Sequence, residues 1–166
     1  MKRFLIAAVA ALNLLAIDAV VKEIAVARLK GAAAVPVIPG FFDLAYVENR
    51  GCAWGLFQGH VWPLAVFGLA ALAILVWKRR AIFGDLRAER SASAWLGAVA
   101  EPLLYAGIVG NVVDRVFRGY VVDMLDFHWH TSHFPCFNLA DTYISVAVGL
   151  MLLASFLEPS RKKNEK

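Results

Sequence analysis

Charge is scarce in this sequence. Only 18% of its 166 residues are Asp, Glu, Lys or Arg, against 60% hydrophobic, and the mean hydropathy is +0.63. A soluble domain of this size needs more polar surface than that, so one compact membrane-embedded bundle is the natural class. Cysteine is also rare. Cys52 and Cys136 lie far apart and make no C-x-x-C pair, which leaves a redox motif or zinc knuckle unsupported. Both read as small, semi-buried residues rather than as a disulfide. No H-E-x-x-H spacing, internal repeat or low-complexity stretch occurs, apart from the charged tail Glu158–Lys166, which is expected to fray. The net charge of +4 is modest, and no nucleic-acid partner is expected.

What is present is four apolar runs, at about 4–21, 61–77, 94–113 and 139–157. The 17 residues of the second make about 25 Å of helix, the short end for a span. None shows a polar stripe wide enough for a soluble amphipathic helix. The expected fold is an all-α membrane protein, one domain over residues 1–166, with four transmembrane helices and a small extracytoplasmic platform at about 22–60. Within the platform Pro36, Pro39 and Gly40 break any helix, Phe41 to Val47 reads as a strand, and Asn49-Arg50-Gly51 reads as a turn. Trp54 and Phe57 suit a membrane interface, as does His60.

The few cations fix an orientation. Lys2, Arg3, the 78–93 connection and the C-terminal tail hold eleven Lys and Arg, whereas the opposite side holds six. The positive-inside rule puts both termini in the cytoplasm and residues 22–60 and 114–138 outside. The first run could be a cleaved signal peptide ending at Ala25-Val26-Ala27, but Lys22 and Glu23 before that site favour an uncleaved anchor.

Carboxylates at the edge of a hydrocarbon layer are costly and carry the functional signal. On this topology Asp123, in the outer connection, and Asp141, three residues into the fourth run, lie at the same leaflet. Two carboxylates close together in a poorly solvated site would share a proton near neutral pH, the logic of an aspartyl protease. Ion relay and helix contact remain open for the pair. Asp114-Arg115 reads as a simple ion pair and Asp126 as a solvated loop residue. His128, His130 and His133 lack a metal-site pattern, and no metal is expected. Glu101, beside Pro102 in the third run, is expected near the cytoplasmic boundary with its charge reaching water. Gly107 and Gly110 offer a small-residue packing face, and Asn111 a hydrogen bond between helices.

Four blocks in order then resemble the bacterial lipoprotein signal peptidases (signal peptidase II): Asp18-Ala19-Val20-Val21-Lys22; Glu48-Asn49-Arg50-Gly51-Cys52-Ala53-Trp54-Gly55; Gly110-Asn111-Val112-Val113-Asp114-Arg115 with Gly119-Tyr120-Val121-Val122-Asp123; and Phe137-Asn138-Leu139-Ala140-Asp141. The chain departs from the family pattern at Ala106, Ile108 and Cys52. The resemblance implies an inner-membrane aspartic endopeptidase that removes signal peptides from prolipoproteins just before a diacylglyceryl-modified cysteine. It implies Asp123 and Asp141 as the catalytic pair, with Asp126 outside it. Asn49, Gly51, Asn111, Asp114, Arg115, Asn138, Ala140, Asp18 and Lys22 would support the pair and the substrate. It implies no cofactor, with membrane lipid and lipidated prolipoproteins as partners of a monomeric enzyme. A non-enzymatic multipass transport or binding protein is the alternative.

Overall fold

The computed structural model describes residues 2–84 and 91–157. The elements run α1 (Lys2–Leu29), β1 (Val35–Ile38), β2 (Phe42–Asn49), a 3-10 turn (Ala53–Gly55), α2 (Val61–Trp77), α3 (Arg79–Phe83), α4 (Ala92–Arg118), β3 (Val121–Trp129), β4 (Ser132–His133) and α5 (Leu139–Leu157). Three helices, α1, α4 and α5, are long and apolar enough to cross a membrane, and α2 is a shorter apolar helix of 17 residues. Their outward faces carry large apolar side chains, with Phe117 82% and Phe156 85% exposed. Water would not favour such a surface, and lipid would. Arg87, Arg90 and the tail cations used in the charge count lie outside the described residues.

The second and fourth runs match α2 and α5. The first and third are longer than expected. Helix α1 continues to Leu29, so Asp18 and Lys22 sit inside it and the platform starts later than residue 22. Helix α4 reaches Arg118, so Asp114 and Arg115 belong to its last turns. It passes through Pro102 unbroken, starts at Ser91, whose hydroxyl accepts the Ala94 N–H at 3.2 Å, and stops at Gly119. The φ of +76° at Gly119 is the left-handed conformation that ends helices.

The platform is a four-stranded antiparallel sheet in the order β1-β2-β3-β4. Residues 114–138, expected to be a plain connection, thus contain two strands. The missed strand β3 is Val121-Val122-Asp123-Met124-Leu125-Asp126-Phe127-His128-Trp129, and its first four residues are buried. Val122 and Met124 pack with Ala25 and Leu29 of α1, while Val121 lines a pocket of about 430 Å³ on the other side. Burial on both faces removes the in–out alternation that marks a half-buried strand. One extra β2 residue between Leu44 and Val47 shifts the β2–β3 register.

Helix α4 is the hub. It packs against α1, α2, α3 and α5, and its glycines permit the approach. A Cβ on Gly110 would stand 2.7 Å from Asp18 Oδ2 and 3.2 Å from the Ala140 Cβ, so only glycine fits where three helices meet. At the other end of α4, Glu101 is fully buried, contrary to the expectation that its charge reaches water. Arg79 grips it through two hydrogen bonds of 2.7 and 3.0 Å, Tyr105 donates at 3.2 Å, and Arg3 lies 3.6 Å away. That ion network ties α1 and α3 to α4, because a buried carboxylate must be paired.

Candidate active site

The N-terminus of α5 is built as a capping box. Asn138 precedes the helix and accepts the Asp141 N–H on its side-chain oxygen at 2.9 Å, while Asp141 Oδ2 accepts the Asn138 N–H at 3.3 Å. Reciprocal bonding of this kind satisfies two of the donors that a helix start leaves unpaired. A third, the Ala140 N–H, goes to Asp18 Oδ1 of α1 at 2.9 Å. The spacing Asn138-x-x-Asp141 is therefore a local structural signature as well as a family one. It also seats Asp141 where the helix dipole favours a carboxylate.

Asp123 arrives from β3. Asp114 Oδ2 accepts the Val122 N–H at 3.1 Å, which fixes the strand one residue before Asp123. The Asn138 side-chain amide donates to Asp123 Oδ1 at 2.6 Å and to Asn111 Oδ1 at 3.2 Å. Asn49 donates to Asp123 Oδ2 at 3.0 Å, and Asn111 donates to Asp141 Oδ1 at 2.7 Å. The two aspartates thus hang on one bridging residue, Asn138, with Asn49 and Asn111 on either flank. Asp123 is 1% exposed. Burial, followed by the charge of Asp141, pushes its carboxyl up to about 7, while the bonds from Asn49 and Asn138 pull it down.

Behind the asparagines lies a buried ionic cluster. Lys22 Nζ is 2.9 Å from Asp18 and 3.0 Å from Asp114, and it donates to Asn111 Oδ1 at 3.4 Å. Asp114 also bonds Arg118 Nε at 3.0 Å, and Arg118 pairs with Glu23. The expected Asp114–Arg115 pair does not form. Arg115 instead donates to the carbonyls of Asn111, at 3.2 Å, and Gly51, at 2.9 Å. It thereby ties α4 to the turn after β2, where the Gly51 N–H bonds Asn49 Oδ1 at 2.9 Å. Asp126 is no solvated loop residue: it lies on β3 and contacts His133. Every expected site residue belongs to this assembly, with Gly51 and Ala140 contributing backbone groups.

A pocket of about 430 Å³ opens beside the pair, lined by Asp141, Asn49, Asn111, Arg115, Trp54, Phe134 and both cysteines among others. Sequence reasoning did not place Trp54, Phe134, Cys136 or Thr142 here, since residues on three separate elements converge only in the fold. Trp54 and Phe134 meet edge-on at 5.4 Å across this pocket. Cys52 and Cys136 are not joined by a disulfide. Burial, with the charges of Asp123 and Asp126, pushes the Cys136 thiol up to about 12, so it stays protonated and is a poor nucleophile. Among the described residues no group of three or more His, Cys, Asp and Glu is placed to hold a metal ion.

An apolar helical bundle, a strand-built platform and two carboxylates linked through Asn138 define an integral membrane protein with the parts of a hydrolase. Residues 10–157 match the family model described as signal peptidase (SPase) II, and the chain belongs to that family. It is similar to the lipoprotein signal peptidase of Syntrophotalea carbinolica, 38% identical over 149 residues and 88% of each chain. The lipoprotein signal peptidase of Fusobacterium nucleatum is 37% identical over 155 residues, 93% of this chain and 88% of that one. A bacterial membrane enzyme solved by the in meso method at 2.3 Å resolution superposes with a TM-score of 0.75 at 29% identity, covering 96% of this chain and 93% of its own. A second such structure, at 1.9 Å resolution, gives 0.72 at 28% identity over 92% and 94%.

Proposed function

We propose that the chain is an aspartic endopeptidase that removes signal peptides from prolipoproteins, with Asp123 and Asp141 as its catalytic pair. The observation that carries this is the single residue Asn138, whose side-chain amide donates to the Asp123 carboxylate and whose backbone N–H donates to that of Asp141. Linked through Asn138, with the charge of Asp141 acting on Asp123, the two groups keep one proton between them around neutral pH, and its removal is opposed by the neighbouring charge. The ionised member takes a proton from water as that water attacks the scissile carbonyl. The protonated member gives its proton to the leaving amine. In this reading Asn49 and Asn138 orient the carboxyl oxygens, Arg115 holds the platform turn over the cleft, and Lys22 with Asp18 and Asp114 fixes the asparagines from behind.

The substrate is a prolipoprotein whose signal peptide is followed by a diacylglyceryl-modified cysteine, and it enters from the lipid side into the cleft between α5 and the platform. Four spans, with both termini in the cytoplasm and the pair at the outer leaflet of the inner membrane, fit the distribution of Lys and Arg. The shorter α2 is the fourth span, and one chain suffices for the site. Cleavage of a diacylglyceryl-modified prolipoprotein by the purified chain in lipid tests this, with Asp123→Asn and Asp141→Asn in parallel. Normal cleavage by either variant would overturn the assignment.

A further inference from the structure

The platform carries a second set of ionisable side chains, farther along the same ladder. Asp43 of β2 and Asp126 of β3 are directly opposed, and like charges facing each other across an antiparallel pair weaken it. Each is met by an imidazole. His133 Nδ1 lies 2.9 and 3.0 Å from the two oxygens of Asp126, and His128 Nε2 lies 3.4 Å from Asp43 Oδ2. His128 and His133 are cross-strand partners, and their rings stack with centroids 4.8 Å apart.

The two contacts are not equivalent. His128 Nδ1 faces the backbone carbonyl of His130 at 3.3 Å. A carbonyl only accepts, so Nδ1 carries the hydrogen and the neutral ring leaves Nε2 as a bare lone pair. That lone pair is turned toward a carboxylate oxygen, acceptor against acceptor. Nε2 is buried without a hydrogen-bond partner, in a side chain only 10% exposed, opposite an Asp43 side chain 21% exposed. A proton on Nε2 turns this opposition into a charge-assisted hydrogen bond, which prefers a shorter distance. His133 needs no such change, because its neutral ring can already donate from Nδ1 to Asp126.

We propose that His128 and Asp43 form a proton-operated clasp, loose while the ring is neutral and closed when it is cationic, which tightens the β2–β3 ladder on acidification. The groups facing it are Asp43 from β2, Asp126 from its own strand, His133 from β4, and the Cys136 thiol on the Asp126 side. Strand β1 places only the uncharged Pro36 opposite Asp43. Imidazole is the side chain suited to such a change between pH 5 and 8.

The clasp acts on the strand that bears Asp123. Phe127, next to Asp126, stacks on Phe42 at 4.5 Å and on Phe137 at 5.7 Å. The Phe137 carbonyl accepts the Met124 and Leu125 N–H groups at 3.0 and 2.9 Å, and the next residue is Asn138. Closure therefore bears on the segment that holds both carboxylates. The proposal extends beyond the peptidase reading and does not depend on it.

Hydrogen–deuterium exchange of the full-length protein in lipid nanodiscs tests it, each rate being corrected for the intrinsic rate at that pH. Between about pH 8 and pH 5.5, protection of segments 42–44 and 125–128 rises about tenfold, the size of one hydrogen bond to a charged group. His128→Phe and the near-isosteric Asp43→Asn abolish the rise, and His60→Ala keeps it. Protection that is flat in the natural chain, or that rises unchanged in Asp43→Asn, overturns the clasp. A rise that disappears with a chelator would assign a bridging metal ion in place of the proton and overturn it as well. No turnover is needed, so a failure here leaves the peptidase reading standing, and inactivity of the enzyme leaves the clasp testable.

Discussion

Asn138 donates its side-chain amide to Asp123 Oδ1 at 2.6 Å while its side-chain oxygen caps the helix that bears Asp141. One short side chain therefore sets the position of two carboxylates eighteen residues apart in sequence, on a strand and a helix. Asn138→Ala removes the cap, the bridge and one of the bonds that hold the Asp123 charge. We predict a loss of cleavage of at least about a hundredfold, with a stability loss of about 1–2 kcal/mol from the lost cap. Prolipoprotein cleavage and thermal unfolding in detergent, measured side by side, separate the two. Asn138→Ser, which can still cap, should recover stability and leave the cleavage defect.

Asp123→Asn and Asp141→Asn should each remove cleavage by about three orders of magnitude or more, because acid and base act as one unit. Asp141→Asn keeps a side-chain oxygen that can accept the Asn138 N–H, so the helix start survives and inactivity cannot be ascribed to unfolding. Asp126→Asn should retain substantial activity. Loss equal to that of Asp123→Asn would move the catalytic role to the wrong neighbour and refute the pairing.

The raised carboxyl of Asp123 makes a signed pH prediction. Its folded value, about 7, lies above the ordinary 3.8. The folded chain thus holds this proton more tightly than the unfolded chain. Stability from this group is fully present below about pH 4 and is lost as pH rises through about 7. Asp123→Asn removes that slope. Comparing unfolding at pH 5 and pH 8, the natural chain should lose about 1–2 kcal/mol more than the variant. Cleavage should likewise fall above about pH 7, where the pair loses its proton. Equal slopes in both proteins would show that Asp123 is not the titrating group.

Gly110→Ala places a methyl where Asp18 Oδ2 and the Ala140 Cβ already stand, at 2.7 and 3.2 Å. Helix α1 or α5 must move, and the Asp18 bond to the Ala140 N–H lengthens. Overpacking of this kind costs about 1–3 kcal/mol. A lowered melting temperature together with reduced cleavage is the expected pair of results. An unchanged melting temperature would mean the three helices meet less tightly than described.

Glu101 and Arg79 form a double-mutant cycle. Glu101→Leu alone strips the partner from a partly buried guanidinium, and Arg79→Leu alone leaves a fully buried carboxylate without its bidentate donor. The carboxylate is the more buried partner, so Arg79→Leu should be the worse of the two, by about 1 kcal/mol or more. The double variant should recover most of the loss. Additive losses would show that the pair contributes no coupling.

The expectations that held were those written in composition and short-range order. Low charge and four apolar runs gave the bundle, and the helices at 61–77 and 139–157 begin and end where the runs do. The eleven residues that the family blocks single out lie together in the structure, and their roles remain part of the proposal above. The capping box at Asn138 and Asp141 was legible as a local spacing and was passed over in favour of its chemistry. Strand β3 was missed because packing on both faces hides its alternation. The burial of Glu101 was missed because its partners Arg79 and Arg3 come from two other elements.

The sequence by itself determined that this chain is a membrane protein, that its few carboxylates are exceptional, and that Asp123 and Asp141 stand out among them. It could do so because hydropathy, capping and motif spacing are local properties of the chain. Only the tertiary structure decided that Asp114 pairs with Lys22 and Arg118 rather than Arg115, and that Glu101 is buried. Only the tertiary structure hung Asp123 and Asp141 on one asparagine. Those outcomes depend on which side chains distant in sequence meet out of water, where an unpaired charge is too costly to leave, and no local pattern encodes that choice.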